Sequence, residues 1–213
     1  MVKGKHKGGQ PWWRKRRTLR RAALAASLAV VIGVLAWLVV RGEGEGGPKE
    51  YLREPAPAFT LPTIAGEQVS LADHLGRHNA LLYFSEGIGC APCFDQIVDL
   101  EDDWGRFQTL DVELVSVMVD PLEELLAEAE SRGITGIVAA DEDKSVSEAY
   151  DAMEASMHPG VKPGHTFVLV NKNGEMIWRW DWMGHGKPMY MEVDELYKDV
   201  SEWLKKAGGP SSP

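Results

Sequence analysis

The chain has 213 residues, 44% of them hydrophobic and 26% charged, with a net charge of −9 and two cysteines. That is enough apolar material for one globular domain plus extensions, and too few cysteines for a disulfide-stapled scaffold. Nine Lys and Arg fall in residues 1–21, leaving 14 basic against 32 acidic residues elsewhere, so the bulk of the protein should repel nucleic acid.

Residues 1–21 read as a basic cytoplasmic segment. Ala22 to Val40 (AALAASLAVVIGVLAWLVV) is an uncharged run of 19 residues, long enough at about 1.5 Å per residue to cross a bilayer core. Residues 22–40 are therefore expected to form a transmembrane helix. The basic block before it sets the N-terminus in the cytoplasm and the rest of the chain outside. A cleaved signal peptide shares these features. The long apolar run, the lack of a clear small-x-small site and the lack of a lipidation cysteine favour an uncleaved anchor. The expected location is the cell membrane, single-pass, with the domain extracytoplasmic on the periplasmic or cell-surface side.

Residues 41–54, rich in Gly and charge, read as a flexible linker, and residues 55–206 as the folded domain. Ala58 to Leu61 and Gln68 to Leu71 flank Gly66 as a hairpin, with a helical turn around Leu71 to Leu75. Asn79 to Phe84 is a continuous apolar run suited to a doubly covered central strand. From Pro92, the spacing of Phe94, Ile97, Val98, Trp104 and Phe107 predicts a helix bent near Glu101-Asp102-Asp103. Val112 to Val119 is a second strand. Asp120, Pro121 and Glu123 read as cap, first position and third position of a helix running to Arg132 and ended by Gly133. A short strand, Ile137 to Ala140, precedes a helix opened by Ser145 and Glu148 as a capping box and carrying Tyr150 and Met153. Strands at Thr166 to Val170 and Met176 to Trp182 turn at Asn171 to Gly174. A last amphipathic helix holds Leu196, Val200 and Trp203 on one face, and residues 207–213 read as a disordered tail.

Cys90-Ala91-Pro92-Cys93 stands at a strand-to-helix junction and holds both cysteines. A disulfide closing so short a loop removes little entropy from the unfolded chain, so it is a poor staple. At i, i+3 on a helical turn, the Cα atoms lie about 5–6 Å apart, which suits a bond that opens and closes. The pair reads as a redox site with no organic cofactor and no metal.

The element order, with Ala56-Pro57-Ala58-Phe59-Thr60-Leu61, Phe84 ahead of the CxxC, and Thr166 to Val170 with Gly174, resembles the membrane-anchored bacterial thioredoxin-like thiol/disulfide oxidoreductases. These are related to cytochrome c maturation proteins and, more distantly, to peroxiredoxins. The resemblance covers about residues 55–206 and implies an α/β thioredoxin-like fold, a mixed central sheet flanked by helices with an N-terminal β-hairpin extension. It implies exchange with client proteins carrying disulfides or thiols, donation of electrons to them, and reduction by a membrane thiol-electron transporter. It also implies a cis-proline beside the disulfide. Pro163, one residue off the usual spacing, is the candidate, with Gly164 and His165 as alternatives for the same substrate-facing position. Gly89 stands where the family usually has Trp, after a loop one residue longer.

Cys90, at the helix N-terminus, is the expected attacking thiolate, and Cys93, one turn in, the buried resolving residue. Glu86 is the candidate proton-transfer base. Asp120 is a second candidate, although a helix cap accounts for it. A peroxidase is one alternative, but Tyr83 and Gly87 stand where peroxiredoxins carry the Pro and Thr of PxxxTxxC. Arg179, between Trp178 and Trp180, is expected to face outward rather than serve as a catalytic Arg. A copper-binding module is another alternative, drawing on Cys90, Cys93, His158, His165, His185 and Met157, Met183, Met189 or Met191. The superfamily's copper chaperones use a spacing one residue longer.

Overall fold

The computed structural model describes residues 53–184 and 189–208. The basic segment, the apolar run at 22–40, nearly all of the linker, His185 and the end of the tail lie outside the described residues. Among the described residues, no helix is long and apolar enough to cross a membrane.

A six-stranded sheet organises the domain in the order β1, β8, β7, β4, β5, β6, taking β1 as Glu54–Pro55, β4 as Asn79–Phe84, β5 as Val112–Met118, β6 as Ile137–Ala140, β7 as Thr166–Val170 and β8 as Glu175–Asp181. Strands β4, β5 and β6 run parallel, while β7 and β8 pair antiparallel to their neighbours. The expected mixed sheet of a thioredoxin-like fold is thus present. The N-terminal hairpin, β2 (Thr60–Pro62) and β3 (Gln68–Ser70), forms a separate two-stranded sheet followed by the short helix α1 (Leu71–His74).

Alternation along the strands divides the core into two layers. Leu81 and Tyr83 of β4, Phe167 and Leu169 of β7, and Trp178 and Trp180 of β8 face one layer, which also holds Cys90 and Cys93. That layer is closed by α2 (Ala91–Asp102), α3 (Trp104–Gln108), α4 (Leu122–Arg132) and α6 (Val193–Gly208). Ala80, Leu82 and Phe84 face the opposite layer, built on the hairpin and on Val146 and Tyr150 around α5 (Ser145–Ala149). Every residue of β4 is buried, as its unbroken apolar run requires.

The helix after the CxxC is two helices. The backbone at Asp103 (φ −105°, ψ 10°) leaves helical geometry between α2 and α3. Helix α4 ends at Gly133 with φ of 73°, a left-handed cap that glycine adopts without steric cost.

Four expectations at helix ends and edges are corrected. Asp120 does not cap α4; Glu142 Oε1 accepts from Leu122 N at 3.1 Å instead. The start of α5 is served not by Ser145 but by Asp141, which is fully buried and whose two oxygens accept from Val146 N at 3.1 Å and Ser147 N at 2.7 Å. The helix stops at Ala149, ahead of Tyr150 and Met153. Arg179 is 5% exposed, not outward-facing: its guanidinium donates to Tyr150 O, to Asp151 O at 3.1 Å and to Asp181 Oδ1 at 2.7 Å. At the boundaries, Glu54 belongs to β1 and α6 runs to Gly208, so ordered structure extends past the expected 55–206.

Asp141 offers a direct check of this wiring. Replacing it with Ala strands two buried N–H groups, so Asp141→Ala should lower stability by about 1–3 kcal/mol. The measurement is a lower urea midpoint at unchanged m, with Asp141→Asn recovering part of the loss.

Candidate active site

The site lies at the carboxyl end of β4, where the loop 85–89 carries the chain to the N-terminus of α2. Cys90 and Cys93 form a disulfide with Cα atoms 5.4 Å apart. Cys90 is the N-cap residue of α2, and Pro92 falls within the first turn, where no helical N–H bond is lost. Cys90 retains 9% exposure and Cys93 none. That order of access suits an outer attacking sulfur and an inner resolving one.

His165 is the central side chain. Its Nε2 lies 2.8 Å from Cys93 Sγ and 3.5 Å from Cys90 Sγ, and its Nδ1 lies 3.0 Å from the Tyr83 hydroxyl. Period-2 geometry explains this placement. Tyr83 and Phe167 are directly paired across β4 and β7, their rings stacked at 4.5 Å, and His165 sits two residues before Phe167 on the same face. The Tyr83 hydroxyl can donate to Nδ1 or accept from it, so either neutral tautomer is satisfied. Nε2 can therefore present an N–H to a thiolate or a lone pair to a thiol. Burial pushes the imidazole down to about 4, partly offset by a backbone hydrogen bond to Met189. Burial also holds the Tyr83 phenol protonated, well above its usual range.

The loop bearing Cys90 is pinned by a triangle of polar contacts. Asp120 Oδ2 accepts from Ile88 N at 3.0 Å, and its Oδ1 accepts from Lys162 Nζ at 2.8 Å. Lys162 Nζ also donates to Ile88 O at 2.9 Å, tying this loop to the segment that leads into His165. Gly87 makes the approach possible. Its φ is +70°, and a Cβ there would stand 1.9 Å from Asp120 Oδ2. Lys162 escaped the sequence reading because nothing in its local pattern marks it.

The other expected site residues are placed differently. Glu86 is 7% exposed, and its Oε1 lies 3.6 Å from His158 Nδ1, beyond hydrogen-bond length. Among the described residues, the side chain in hydrogen-bond range of Cys93 Sγ is His165, through Nε2; the carboxylate of Glu86, the expected base, makes no hydrogen bond to either sulfur. Pro163 is buried, and no cis peptide bond occurs among the described residues, so the expected cis-proline is absent. Gly164 is buried against the 152–156 segment, its N donating to Ala152 O at 2.9 Å; a Cβ there would stand 1.7 Å from Ala155 O. Of the three alternatives at this position, His165 is the one that reaches the sulfurs. Met189 also reaches the site, its Sδ 3.8 Å from Cys90 Sγ. Cys90, Cys93 and His165 each present one donor atom within 4.8 Å of the others, the one such group of metal-ligating side chains among the described residues.

A sulfur with slight exposure at a helix N-terminus, a fully buried partner sulfur and an imidazole against both define a thiol oxidoreductase of thioredoxin-like fold. Comparison with known proteins agrees. Residues 52–179 match the AhpC/TSA family, and the chain belongs to it. It is 34% identical over 128 residues to a putative peroxiredoxin of Mycobacterium tuberculosis, spanning 58% of this chain and 80% of that one. It is 28% identical over 167 residues to the thiol-disulfide oxidoreductase ResA of Bacillus subtilis, spanning 77% of this chain and 84% of that one. In fold it is similar to the reduced 2-Cys peroxiredoxin of Plasmodium vivax, with a TM-score of 0.62 at 23% identity over 73% of this chain and 98% of that one.

The depressed imidazole has a measurable consequence for the disulfide form. An unfolded histidine titrates near 6.5, so between about pH 6.5 and 4 the unfolded chain binds a proton that folded His165 does not. Its contribution to stability is complete above pH 6.5 and is lost as the pH falls toward 4, at up to about 1.4 kcal/mol per pH unit. Denaturation of the oxidised protein across this range should show that slope, and His165→Gln should remove it. Equal slopes in the two proteins would show that the imidazole is not held neutral.

Proposed function

We propose that this protein exchanges dithiol for disulfide with protein clients, acting as a reductant on the outer side of the membrane. The observation that carries the reading is the 2.8 Å contact between Cys93 Sγ and His165 Nε2. The Cys90 thiolate attacks a client disulfide, forming a mixed disulfide and releasing one client thiolate. Cys93 gives up its proton and attacks Cys90 Sγ, which closes the internal disulfide and releases the second client thiolate. Two electrons pass to the client, and the two cysteine protons pass to its sulfurs. His165 serves the second step, taking the Cys93 proton at Nε2 or donating an N–H to the thiolate. The apolar run at 22–40 and the basic residues before it support a membrane anchor with the domain outside. Out of reach of cytoplasmic thiols, the pair would be re-reduced by a membrane thiol-electron transporter. Apocytochromes are a client class consistent with this arrangement.

Peroxide reduction is the second reading, favoured by the 34% identity to a putative peroxiredoxin. Against it, position 87 is a glycine pressed on Asp120, without a hydroxyl to bind peroxide. The buried Arg179 guanidinium is engaged with Tyr150, Asp151 and Asp181, in the layer opposite the cysteines.

The two activities separate experimentally. The reduced protein should reduce a protein disulfide such as insulin and oxidise only slowly with hydrogen peroxide. Cys93→Ser should accumulate a mixed disulfide through Cys90. Rapid, saturable oxidation of Cys90 by peroxide, with no trapped disulfide, would overturn the exchange reading in favour of the peroxidase.

A further inference from the structure

Cys90 is only 9% exposed, although its sulfur is the one that must be reached from outside. Besides its disulfide partner, two side chains stand against that sulfur, His165 Nε2 at 3.5 Å and Met189 Sδ at 3.8 Å. His165 is buried in the interior, whereas Met189 is partly exposed and packs at the edge of the same core layer. Of the two, Met189 is the one that meets solvent. The backbone that carries it is fixed. Gln96 of α2, fully buried, donates from Nε2 to Met191 O at 2.9 Å and accepts at Oε1 from Met191 N at 2.7 Å. The Tyr190 hydroxyl donates to Asp99 Oδ2 of the same helix at 2.6 Å, and the Met189 backbone is hydrogen-bonded to the His165 ring. Residues 189–191 are thus anchored at each position by a different partner. The Met189 side chain is an unbranched, flexible thioether, which can pivot while this backbone stays in place.

We propose that Met189 is a specificity-determining residue for disulfide exchange, covering Cys90 Sγ so that protein partners reach it readily and low-molecular-weight thiols do not. The inference rests on the reading that Cys90 is the sulfur attacked first. Reduction begins when a donor thiolate bonds to Cys90 Sγ and the Cys90–Cys93 bond breaks, its electron pair leaving on Cys93. A second donor thiolate then displaces Cys90. Two donor thiols have become one disulfide, and their protons pass to Cys90 and Cys93. For the first of these bonds to form, the Met189 side chain has to swing aside. A protein partner makes contacts distant from its sulfur, and their binding energy offsets that displacement; a small thiol has none to spend. A methionine also repacks readily against partners of different shape. The cover therefore insulates the pair from small solutes while leaving it open to proteins.

The test presents the oxidised, full-length protein with two donors, reduced glutathione and a reduced protein dithiol, thioredoxin, and follows the rate at which the Cys90–Cys93 bond opens. Met189→Ala should accelerate reduction by glutathione about tenfold, the effect of removing a packed apolar side chain from the path, and change the thioredoxin rate much less. Met189→Leu, which refills the volume, should restore the slow glutathione rate. The reduction potential of the pair, measured by equilibration in a glutathione buffer, should be the same in all three proteins, because a cover alters access equally in both directions. An unchanged glutathione rate in Met189→Ala would overturn the proposal. Equal acceleration with both donors, or a rate gain matched by a shifted potential, would overturn it as well, since either marks a loosened site rather than an uncovered one. Failure of the protein to reduce insulin would count against the exchange reading alone, because glutathione opens the disulfide without any client.

Discussion

The contact between His165 and the disulfide depends on the register of two strands. Tyr83 lies opposite Phe167 across β4 and β7, and His165, two residues upstream, inherits the same face. A slip of one residue in β7 would turn His165 to the other layer and bring Thr166 toward the sulfurs. Several contacts resist such a slip. Thr166 Oγ1 donates to Asp181 Oδ1 at 2.8 Å, and Trp182 N donates to His165 O at 2.9 Å, fixing both ends of the β7 entry against β8. Gly164, whose backbone lies too close to Ala155 O to allow a side chain, brings the strand in tightly from the loop side.

The cysteine side of the contact is fixed by charge rather than by a ladder. Asp120 at the end of β5 and Lys162 on the approach to β7 hold opposite sides of the Ile88 peptide. The segments that carry Cys90 and His165, 85–90 and 162–165, are therefore joined by an ion pair with low solvent access on the carboxylate side as well as by the histidine's own contacts. This accounts for two glycines in the loop. Gly87 admits the Asp120 carboxylate, and Gly89, at φ of +93°, turns the chain into the helix where a bulkier residue would be strained.

Much of the scaffold was legible because period and punctuation carry it. The β4 run, the β6 strand and the helix end at Arg132 with Gly133 beyond it are local features, and all three stand where the pattern placed them. The helix starts were less legible. Asp120 and Ser145 have the right residue types at the right spacing, yet Glu142 and Asp141, from the same connecting segment, take the backbone donors. At α4 the expected cap lost to a side chain that tertiary packing brings from 20 residues away, and at α5 to a carboxylate five and six residues upstream of the N–H groups it accepts from. The site divides in the same way: the CxxC is a local motif, whereas the Cys93 to His165 contact spans 72 residues and Lys162 to Asp120 spans 42. The assignment of Glu86 as base relied on its nearness in sequence to Cys90. The sheet instead brings up a residue from a distant strand.

A fully buried Cys93 limits how chemistry can reach it. Client sulfur or peroxide must meet Cys90 first, because Cys93 offers no exposed surface; only a group already inside the fold can change its protonation. His165 is that group, and burial keeps it uncharged at neutral pH. An imidazolium beside the disulfide would favour the thiolate electrostatically but would itself be costly in so dry a site. A neutral imidazole whose second nitrogen faces a rotatable phenol can exchange tautomers as the sulfur changes from disulfide to thiol. It does so without storing a charge in either state. The burial that keeps His165 neutral is therefore also what lets it face Cys93 as either donor or acceptor at Nε2 without leaving a charge in the core.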